Sequence, residues 1–366
     1  MTTTTVHAPA TGRPAPRAQT RRAPRRIRVL TFDDWMSLGG SLLSSLALVV
    51  VVYEHLVDGS GTLGFLVVWY LTFLAIYAGV VAMSNPRPIV VDRLVTTALW
   101  AISGVVVFAL STTLVYTLAR GWQAFTHLNF FTRTMAGVSP TAPLTQGGIL
   151  HAIVGTFIEV GIAVLISVPL GIGTAVYMAE TAGRGPRFVR TVVEAMTALP
   201  EILAGLFVYA LLIIHGFPKS GMAAAIAMAV TMTPIVARAG EVSLRVVPGG
   251  LREASYALGA SRFRTVRKVV LPSAKAGLAT ATILGVARGV GETAVVLIAS
   301  GASTFMAINP VKNPMNSLPL FIFTAVKTGE PLQIQRAFGA ASVLLAIVLA
   351  LFVAARVFSR DKAGNR

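Results

Sequence analysis

The sequence has no cysteine and few charged residues. Among its 366 residues the absence of cysteine excludes a disulfide framework and a thiolate metal site. Charged residues make up 12% of the chain, which is about half the share usual in soluble domains. No G-x-x-x-x-G-K-[ST] loop occurs, so the chain cannot hold a nucleoside triphosphate in the P-loop manner. The composition is too apolar for an ordinary soluble core.

Long apolar runs are what the sequence has in abundance. Hydrophobic residues make up 55% of the chain, and the mean hydropathy is +0.74. A helix that crosses a bilayer needs about 20 mostly apolar residues. The sequence therefore predicts an all-α polytopic membrane protein with about eight spans. The predicted spans are Ser37–Leu56, Leu63–Met83, Leu94–Ala119, Ile149–Met178, Thr191–Gly216, Gly221–Ala237, Gly277–Gly301 and Ala337–Phe358.

These spans divide the chain into four predicted parts. Residues 1–36 are a basic arm, rich in Thr, Pro and Arg, which is expected to be disordered in the cytoplasm. Residues 37–93 hold two spans, residues 94–358 hold six more, and residues 359–366 form a cytoplasmic tail. Between spans, residues 302–331 include the apolar stretch Leu318–Val326, which is too short to span and predicts a re-entrant or interfacial helix.

The basic residues predict the orientation. The net charge is +17, and 24 of the 31 Lys and Arg residues fall in the arm, the tail and the loops on one side. Because cytoplasmic loops are enriched in Lys and Arg, we expect both termini in the cytoplasm of a bacterial plasma membrane. The positive charge is then explained by topology and by anionic lipid, and no nucleic-acid partner is expected.

The longest cytoplasmic loop predicts two short helices. The first begins after the Gly249–Gly250 break and ends at Gly259, a common C-terminal stop. The second is capped by Ser261 and closed by Pro272. One face of the first helix is formed by residues at i, i+3 and i+7, namely Leu251, Ala254 and Leu258. In the cationic second helix, Phe263 is the large aromatic that could anchor a protein partner. The alternative is a basic amphipathic loop resting on lipid headgroups.

The same loop resembles the cytoplasmic EAA motif of ABC importer permeases. That motif reads Glu-Ala-Ala, three residues, Gly, nine residues, Ile, one residue and Leu-Pro. This chain has Glu253-Ala254-Ser255, then Gly259, then Val269 and Leu271-Pro272 at the same spacing. The resemblance implies that residues 248–272 are a coupling loop, which docks a separate ATPase. The implied coupling residues are Glu253, Ala254, Gly259, Phe263, Leu271 and Pro272.

From about Ile149 onward the chain resembles the PstA-type permeases of phosphate-specific ABC importers. The motifs that carry this resemblance are Val168–Ile172, Tyr177–Glu180, Gly205–Tyr209, Pro234–Arg238, Ala287–Ala294 and Ser317–Pro319. The chain departs from the family at Val295, where Pro is usual, and at Glu201, where Ser is frequent. The first two spans are not explained by the resemblance.

The resemblance implies a type I importer fold with a six-span core and two added N-terminal spans. It also implies a permease without catalytic residues or a cofactor of its own, because a partner ATPase binds ATP and magnesium. The implied partners are a sister permease of the PstC type, two ATPase subunits of the PstB type and an extracytoplasmic phosphate-binding protein of the PstS type.

The substrate pathway is predicted from charges within the seventh span. Arg288 and Glu292 are separated by four residues, so they can share one helix face and pair. A charge in an apolar span is costly unless it is paired or hydrated, and guanidinium is a good donor to phosphate oxygens. We expect Arg288, Glu292 and Thr293 to meet the anion, although a static ion pair between helices is the alternative. Glu159, Glu194 and Glu201 could line the cavity or hydrogen-bond between helices.

Three functions are consistent with the sequence. The first is the permease of a phosphate importer. The second is an ABC permease for another oxyanion such as molybdate or sulfate, which the loop alone would fit equally well. The third is an ion-coupled carrier, against which the lack of an internal repeat and the ATPase-docking loop both argue. The stretch from Arg288 to Thr293 favours phosphate. No histidine pattern indicates a metal site, and no nucleophile–base set stands out.

Overall fold

The computed structural model describes residues 32–55 and 61–360, and this part of the chain is largely helical. The predicted arm up to residue 31 and the tail beyond residue 360 lie outside the described residues. The helices are α1 (Phe32–His55), α2 (Thr62–Ser84), α3 (Arg87–Phe125), α4 (Asn129–Thr132), α5 (Leu150–Glu180), α6 (Arg184–Ala198), α7 (Glu201–Val208), α8 (Gly221–Arg245), α9 (Gly249–Ala257), α10 (Arg262–Thr265), α11 (Leu271–Ser273), α12 (Lys275–Val290), α13 (Ala294–Ala299), α14 (Leu318–Lys327) and α15 (Pro331–Arg360). Short π-helical turns extend α7 (Tyr209–Ile213) and join α10 to α11 (Val266–Val270).

The all-α membrane architecture is confirmed. Within the described residues, six helices are long and apolar enough to cross a membrane: α1, α2, α3, α5, α8 and α15. Two further pairs of helices meet the same test if each bent pair is counted as one span, which gives up to eight. The short apolar stretch forms α14, whose residues Leu318, Leu320 and Phe321 are buried in the protein interior.

The predicted fifth span, Thr191–Gly216, is broken into two helices at Pro200. α6 ends at Ala198, and the chain turns through 102° before the next helix begins at Glu201. Pro200 explains the break, because proline lacks a backbone N–H and disfavours helical geometry in the residue before it. Leu199 is indeed extended, with a ψ of 134°. Glu201 is thereby placed at the start of a helix instead of within one.

The predicted seventh span, Gly277–Gly301, is likewise two helices. α12 ends at Val290, and α13 begins at Ala294 after a three-residue break. At its other end, α12 meets the helical segment Arg262–Ser273 at a bend of 74°. The 16-residue helix α12 therefore has the coupling loop at one end and the break beside Arg288 at the other.

The chain divides into two compact units, and the division falls after Phe108 within α3. In the first unit, α1, α2 and the beginning of α3 enclose a small core of Phe73, Tyr77 and Val81. Arg93 of α3 forms an ion pair with Asp34 of α1, which fastens the first helix to the third. The predicted boundary between the added spans and the core, at residues 93 and 94, lies within α3.

The second unit is built around α8, which is rich in small buried residues. Its Val236 lies between two glycines, Gly171 of α5 and Gly285 of α12. A methyl group added at Gly171 would lie 2.7 Å from Val236 Cβ, and one added at Gly285 would lie 2.5 Å from Val236 Cγ2. Because no side chain intervenes, the backbones of α5 and α12 come close to α8 on both sides.

Buried polar groups stabilise the end of this unit that lies opposite the coupling loop. Arg336 of α15 is 1% exposed and donates to the carbonyl oxygens of Ala142 (2.8 Å), Pro143 (2.8 Å) and Gln146 (3.0 Å). The buried Glu159 of α5 accepts a hydrogen bond from Ser300. Burial of the Arg336 guanidinium and of Glu159 Oε1 is tolerable because each is hydrogen-bonded.

The glycine contacts of Val236 predict a difference between two neighbouring substitutions in α5. Gly171→Ala should lower the free energy of unfolding by about 1–3 kcal/mol, because the added methyl overpacks the contact with α8. Gly173→Ala should change it by less than about 0.5 kcal/mol, because nothing lies within 4 Å of a Cβ at that position. Thermal unfolding of the two purified variants in detergent measures the difference. Equal stability of the two variants would contradict this packing.

Candidate functional site

A cleft of about 570 Å³ opens where the bend between α6 and α7 faces α8 and α12. Most of its lining is apolar. Its polar members are two hydroxyls and one ion pair. The lining residues are Met196, Thr197, Leu199, Glu201, Ala204, Val230, Thr231, Ile235, Leu284, Ala287 and Arg288.

Arg288 and Glu201 form an ion pair across the cleft. Arg288 lies in the last turn of α12, and Glu201 lies in the first turn of α7. A cation is favoured near the C-terminus of a helix and an anion near the N-terminus, so both helix ends stabilise their charge. The side chains remain 47% and 38% exposed. The pair is therefore accessible from the cleft.

The expected pairing of Arg288 with Glu292 is wrong. The relation between residues i and i+4 requires a continuous helix, and α12 ends at Val290. Glu292 is 5% exposed, and its Oε1 has no hydrogen-bond partner within the described residues. Thr293 is half-buried and precedes α13. Arg288 lines the cleft, whereas neither Glu292 nor Thr293 is among its lining residues.

The two departures from the phosphate-permease motifs lie on one interface. Glu201 of α7 contacts Arg288, and Gly205, one turn later, packs against Val295 of α13. A Cβ at Gly205 would lie 3.1 Å from Val295 Cα, and Val295 is fully buried. Both unusual residues therefore help to hold α7 against the segment from Arg288 to Val295. The sequence identified both positions as departures from the family motifs, but it did not predict that they lie close together.

Thr197 and Thr231 are further cleft residues that sequence reasoning missed. The Thr197 hydroxyl donates to the carbonyl oxygen of Glu194 at 2.7 Å, and the Thr231 hydroxyl donates to the carbonyl oxygen of Met228 at 2.9 Å. Because a hydroxyl can rotate to serve another acceptor, both are potential donors to an oxyanion. Threonine is common in apolar helices, so nothing in the sequence distinguished these two.

The other acidic residues singled out from the sequence do not line the cleft. Glu194 of α6 forms an ion pair with Arg238 of α8 at 2.8 Å, and both side chains are about half exposed. Glu159 is fully buried against Ser300. Close to the Glu194 pair, the buried Glu241 accepts from Arg190 at 2.6 Å and from Arg245 at 2.8 Å. The Glu194–Arg238 and Glu241–Arg190 pairs join α6 to α8 outside the cleft.

The coupling loop has the two short helices predicted for it. α9 begins at Gly249, and Gly259 follows it with a φ of +76°, the left-handed geometry that favours glycine. Ser261 caps the second helix by accepting from the Arg264 N–H. The second helix ends at Ser273, one residue beyond Pro272. Ser255, a departure from the EAA motif, hydrogen-bonds Thr265 at 2.9 Å and so joins the two helices.

The predicted coupling residues form an exposed surface on this loop. Leu258 is 89% exposed and Phe263 is 74% exposed, while Glu253, Ala254 and Pro272 are also exposed. The Glu253 carboxylate makes no ion pair or hydrogen bond within the described residues. Leu271 differs, because it packs against the small core formed by α5, α8 and α12. The loop thus presents apolar side chains outward and is anchored through its end.

Arg252 anchors α9 to the ends of two long helices, a role that the sequence did not reveal. Its guanidinium forms an ion pair with Glu180 at the end of α5 (2.8 Å). It also donates to the carbonyl oxygens of Leu244 (3.0 Å) and Val247 (2.7 Å) at the end of α8. Glu180 is 72 residues distant in sequence. Arg252 therefore positions the exposed face of α9 relative to α5 and to α8, and α8 also lines the cleft.

Comparison with known proteins gives the class to which this architecture corresponds. A sequence model of the family described as "Binding-protein-dependent transport system inner membrane component" matches residues 167–363, which include the cleft and the coupling loop. The chain belongs to this family of membrane components of transport systems.

Within that class, the chain is similar to PstA proteins. "Phosphate transport system permease protein PstA 1" of Mycobacterium tuberculosis (strain CDC 1551 / Oshkosh) is 41% identical over 240 residues, which are 65% of this chain and 78% of that protein. The PstA protein of Mycobacterium leprae (strain TN) is 38% identical over 235 residues, 63% of this chain and 76% of that protein. A solved inward-facing structure of the MetNI methionine ABC transporter has 23% identity and a TM-score of 0.46, covering 58% of this chain and 93% of that one.

The anchor at Arg252 predicts a specific loosening of the coupling loop. Arg252→Gln should raise amide hydrogen exchange in residues 249–257 several-fold, because the ion pair with Glu180 and the bonds to two carbonyls are lost together. Arg264→Gln, an exposed cation on the neighbouring helix, is the matched control and should leave exchange there unchanged. Mass-spectrometric exchange on the purified chain measures both. Unchanged exchange in the Arg252 variant would show that the anchor does not hold α9.

Proposed function

We propose that this chain is a permease subunit of an ATP-driven importer of inorganic phosphate and forms half of its translocation pathway. The observation that carries the proposal is the guanidinium of Arg288, which is the one cation among the lining residues of a mostly apolar cleft. A guanidinium presents a planar fork of donors that matches the oxygens of a phosphate ion. The similarity to permeases that are named for phosphate transport supports this choice of anion.

In this proposal the chain performs no chemistry. It has no P-loop, so ATP and magnesium are bound by two separate ATPase subunits of the PstB type, and the chain needs no cofactor of its own. The exposed face of α9 and Phe263 dock one of these subunits. A sister permease of the PstC type supplies the other half of the pathway, and a PstS-type binding protein delivers phosphate outside the membrane.

The proposed orientation places both termini and the coupling loop in the cytoplasm. Its support is the distribution of Lys and Arg in the sequence, since 24 of 31 fall in the segments assigned to that side. The cleft lies about 20 Å along α12 from the coupling loop, because 13 residues separate Lys275 from Arg288. Closure of the ATPase can thus act on the cleft through a single helix.

Removal of the Arg288 guanidinium should stop phosphate import. Arg288→Ala should lower the initial rate of ATP-dependent phosphate uptake by at least about tenfold, because a charge-assisted donor to the anion is lost. Uptake of radiolabelled phosphate into vesicles that contain the complete transporter measures this rate. Arg238→Ala is the matched control, since Arg238 has the same exposure and an ion pair of its own outside the cleft. Normal uptake by the Arg288 variant would refute a role in the pathway, and ATP-dependent uptake of sulfate or molybdate in place of phosphate would reassign the substrate.

Docking of the ATPase should depend on the backbone geometry at Gly259. Gly259→Val should abolish co-purification with the ATPase, because a β-branched residue at a φ of +76° is strained and would redirect the second helix. Gly259→Asn should retain it, since asparagine tolerates left-handed geometry. A bulky residue at the exposed Glu253 should also prevent docking. If the Gly259→Val variant and the bulky Glu253 variant both still co-purify with the ATPase and stimulate it, this loop has no coupling role.

A further inference from the structure

The two charges that line the cleft are paired with each other. Among its lining residues, Arg288 and Glu201 are the charged ones. The donor that an entering anion needs is therefore occupied by a carboxylate of the same chain. An oxyanion cannot use Arg288 fully until Glu201 has moved away.

We propose that Glu201 is an internal counter-anion of the pathway. It occupies the guanidinium of Arg288 when no substrate is present, and the passing oxyanion must displace it. This inference rests on the proposed function of Arg288 and assigns a specificity-determining role to a second residue. The guanidinium of Arg288 then recognises the entering phosphate, and the carboxylate of Glu201 competes with phosphate for it.

The exposure of the pair makes such an exchange possible. Ion pairs that water can reach are weak, because solvent screens the attraction, and here the two side chains are 47% and 38% exposed. A phosphate ion carries more charge and more acceptor oxygens than one carboxylate, so it can displace Glu201 from the fork of donors. Chloride is a single spherical ion without the paired oxygens that match the guanidinium fork, so it displaces Glu201 less readily.

The bend at Pro200 provides a place for the displaced carboxylate. Glu201 is in the first turn of α7, where backbone N–H groups have no partner within the helix and the helix dipole favours a negative charge. The carboxylate can therefore leave Arg288 without becoming an unstabilised anion in an apolar cleft. A carboxylate in the middle of a continuous helix would lack this second position.

Return of Glu201 to Arg288 also assists release. A conducting site must bind an ion strongly enough to admit it and weakly enough to let it leave. The carboxylate weakens the apparent affinity by the fraction of time for which it holds Arg288. An anion must therefore bind Arg288 more strongly than Glu201 does in order to displace the carboxylate. When the cleft opens to a side with little phosphate, Glu201 displaces the substrate again.

Phosphate binding to the transporter without its extracytoplasmic binding protein tests the proposal directly. The probe is radiolabelled inorganic phosphate, added to the purified complex of this chain with its partner subunits. Glu201→Gln keeps the size of the side chain but removes its charge, and it should lower the apparent Kd for phosphate by about five- to tenfold. Chloride should inhibit phosphate binding more strongly in this variant than in the unaltered protein.

The matched control is Glu194→Gln, which removes a similarly exposed, ion-paired carboxylate outside the cleft. It should leave both the Kd and the inhibition by chloride unchanged. Glu201→Ser is a second variant, because serine is well suited to the start of a helix, and it should bind phosphate as tightly as Glu201→Gln. Weaker or unchanged binding in the Glu201 variants would overturn the proposal, since a merely structural partner gives no gain in affinity.

The variant Arg288→Gln separates this inference from the proposed function. Loss of phosphate binding in that variant, together with unchanged binding in Glu201→Gln, would leave the pathway role of Arg288 in place and refute the counter-anion. Normal phosphate binding in Arg288→Gln would refute the pathway role itself. Tighter binding in Glu201→Gln that disappears when Arg288→Gln is added would support both.

Discussion

The close approach of three helices at Val236 is the constraint on which the second unit depends. Gly171 of α5 and Gly285 of α12 face this one side chain of α8, and neither position has room for a methyl group. In apolar surroundings small residues let helix backbones come together, and dispersion forces then replace the hydrophobic effect as the source of stability. Because α12 is held against α8 in this way, its two ends are fixed as well. One end continues into the coupling loop, and the other carries Arg288 into the cleft.

Breaks in the helices determine where the charges of the cleft can lie. α6 and α7 are separated at Pro200, and α12 and α13 are separated at residues 291–293. Each break exposes a helix end whose partial charge has the sign opposite to that of the neighbouring side chain. Glu201 and Arg288 therefore face each other from two helix ends, at a site where a continuous pair of helices would offer only apolar surface.

Local features were predictable from the sequence, whereas long-range contacts were not. The stop at Gly259 and the cap at Ser261 follow from short-range backbone preferences, and both are confirmed. Proline at position 200 indicates a kink in the fifth span, but the continuous hydropathy across it gives no sign that the bend reaches 102°. The pairing of Arg288 with Glu292 was inferred from helical spacing, which ceased to apply once the chain left the helix beside Gly291. Its true partner is 87 residues away in sequence, as Glu180 is far from Arg252, and only the fold brings such residues together.

The Arg288–Glu201 pair has an electrical consequence for a protein in an energised membrane. A fixed charge that moves through the transmembrane field gains or loses about 2.3 kcal/mol per 100 mV. A guanidinium and a carboxylate held together contribute no net charge, so the membrane voltage does almost no work on them when the empty cleft changes its access. The pair itself therefore adds almost no voltage dependence to the return step of the cycle, whereas a bound phosphate ion brings its own charge into the field.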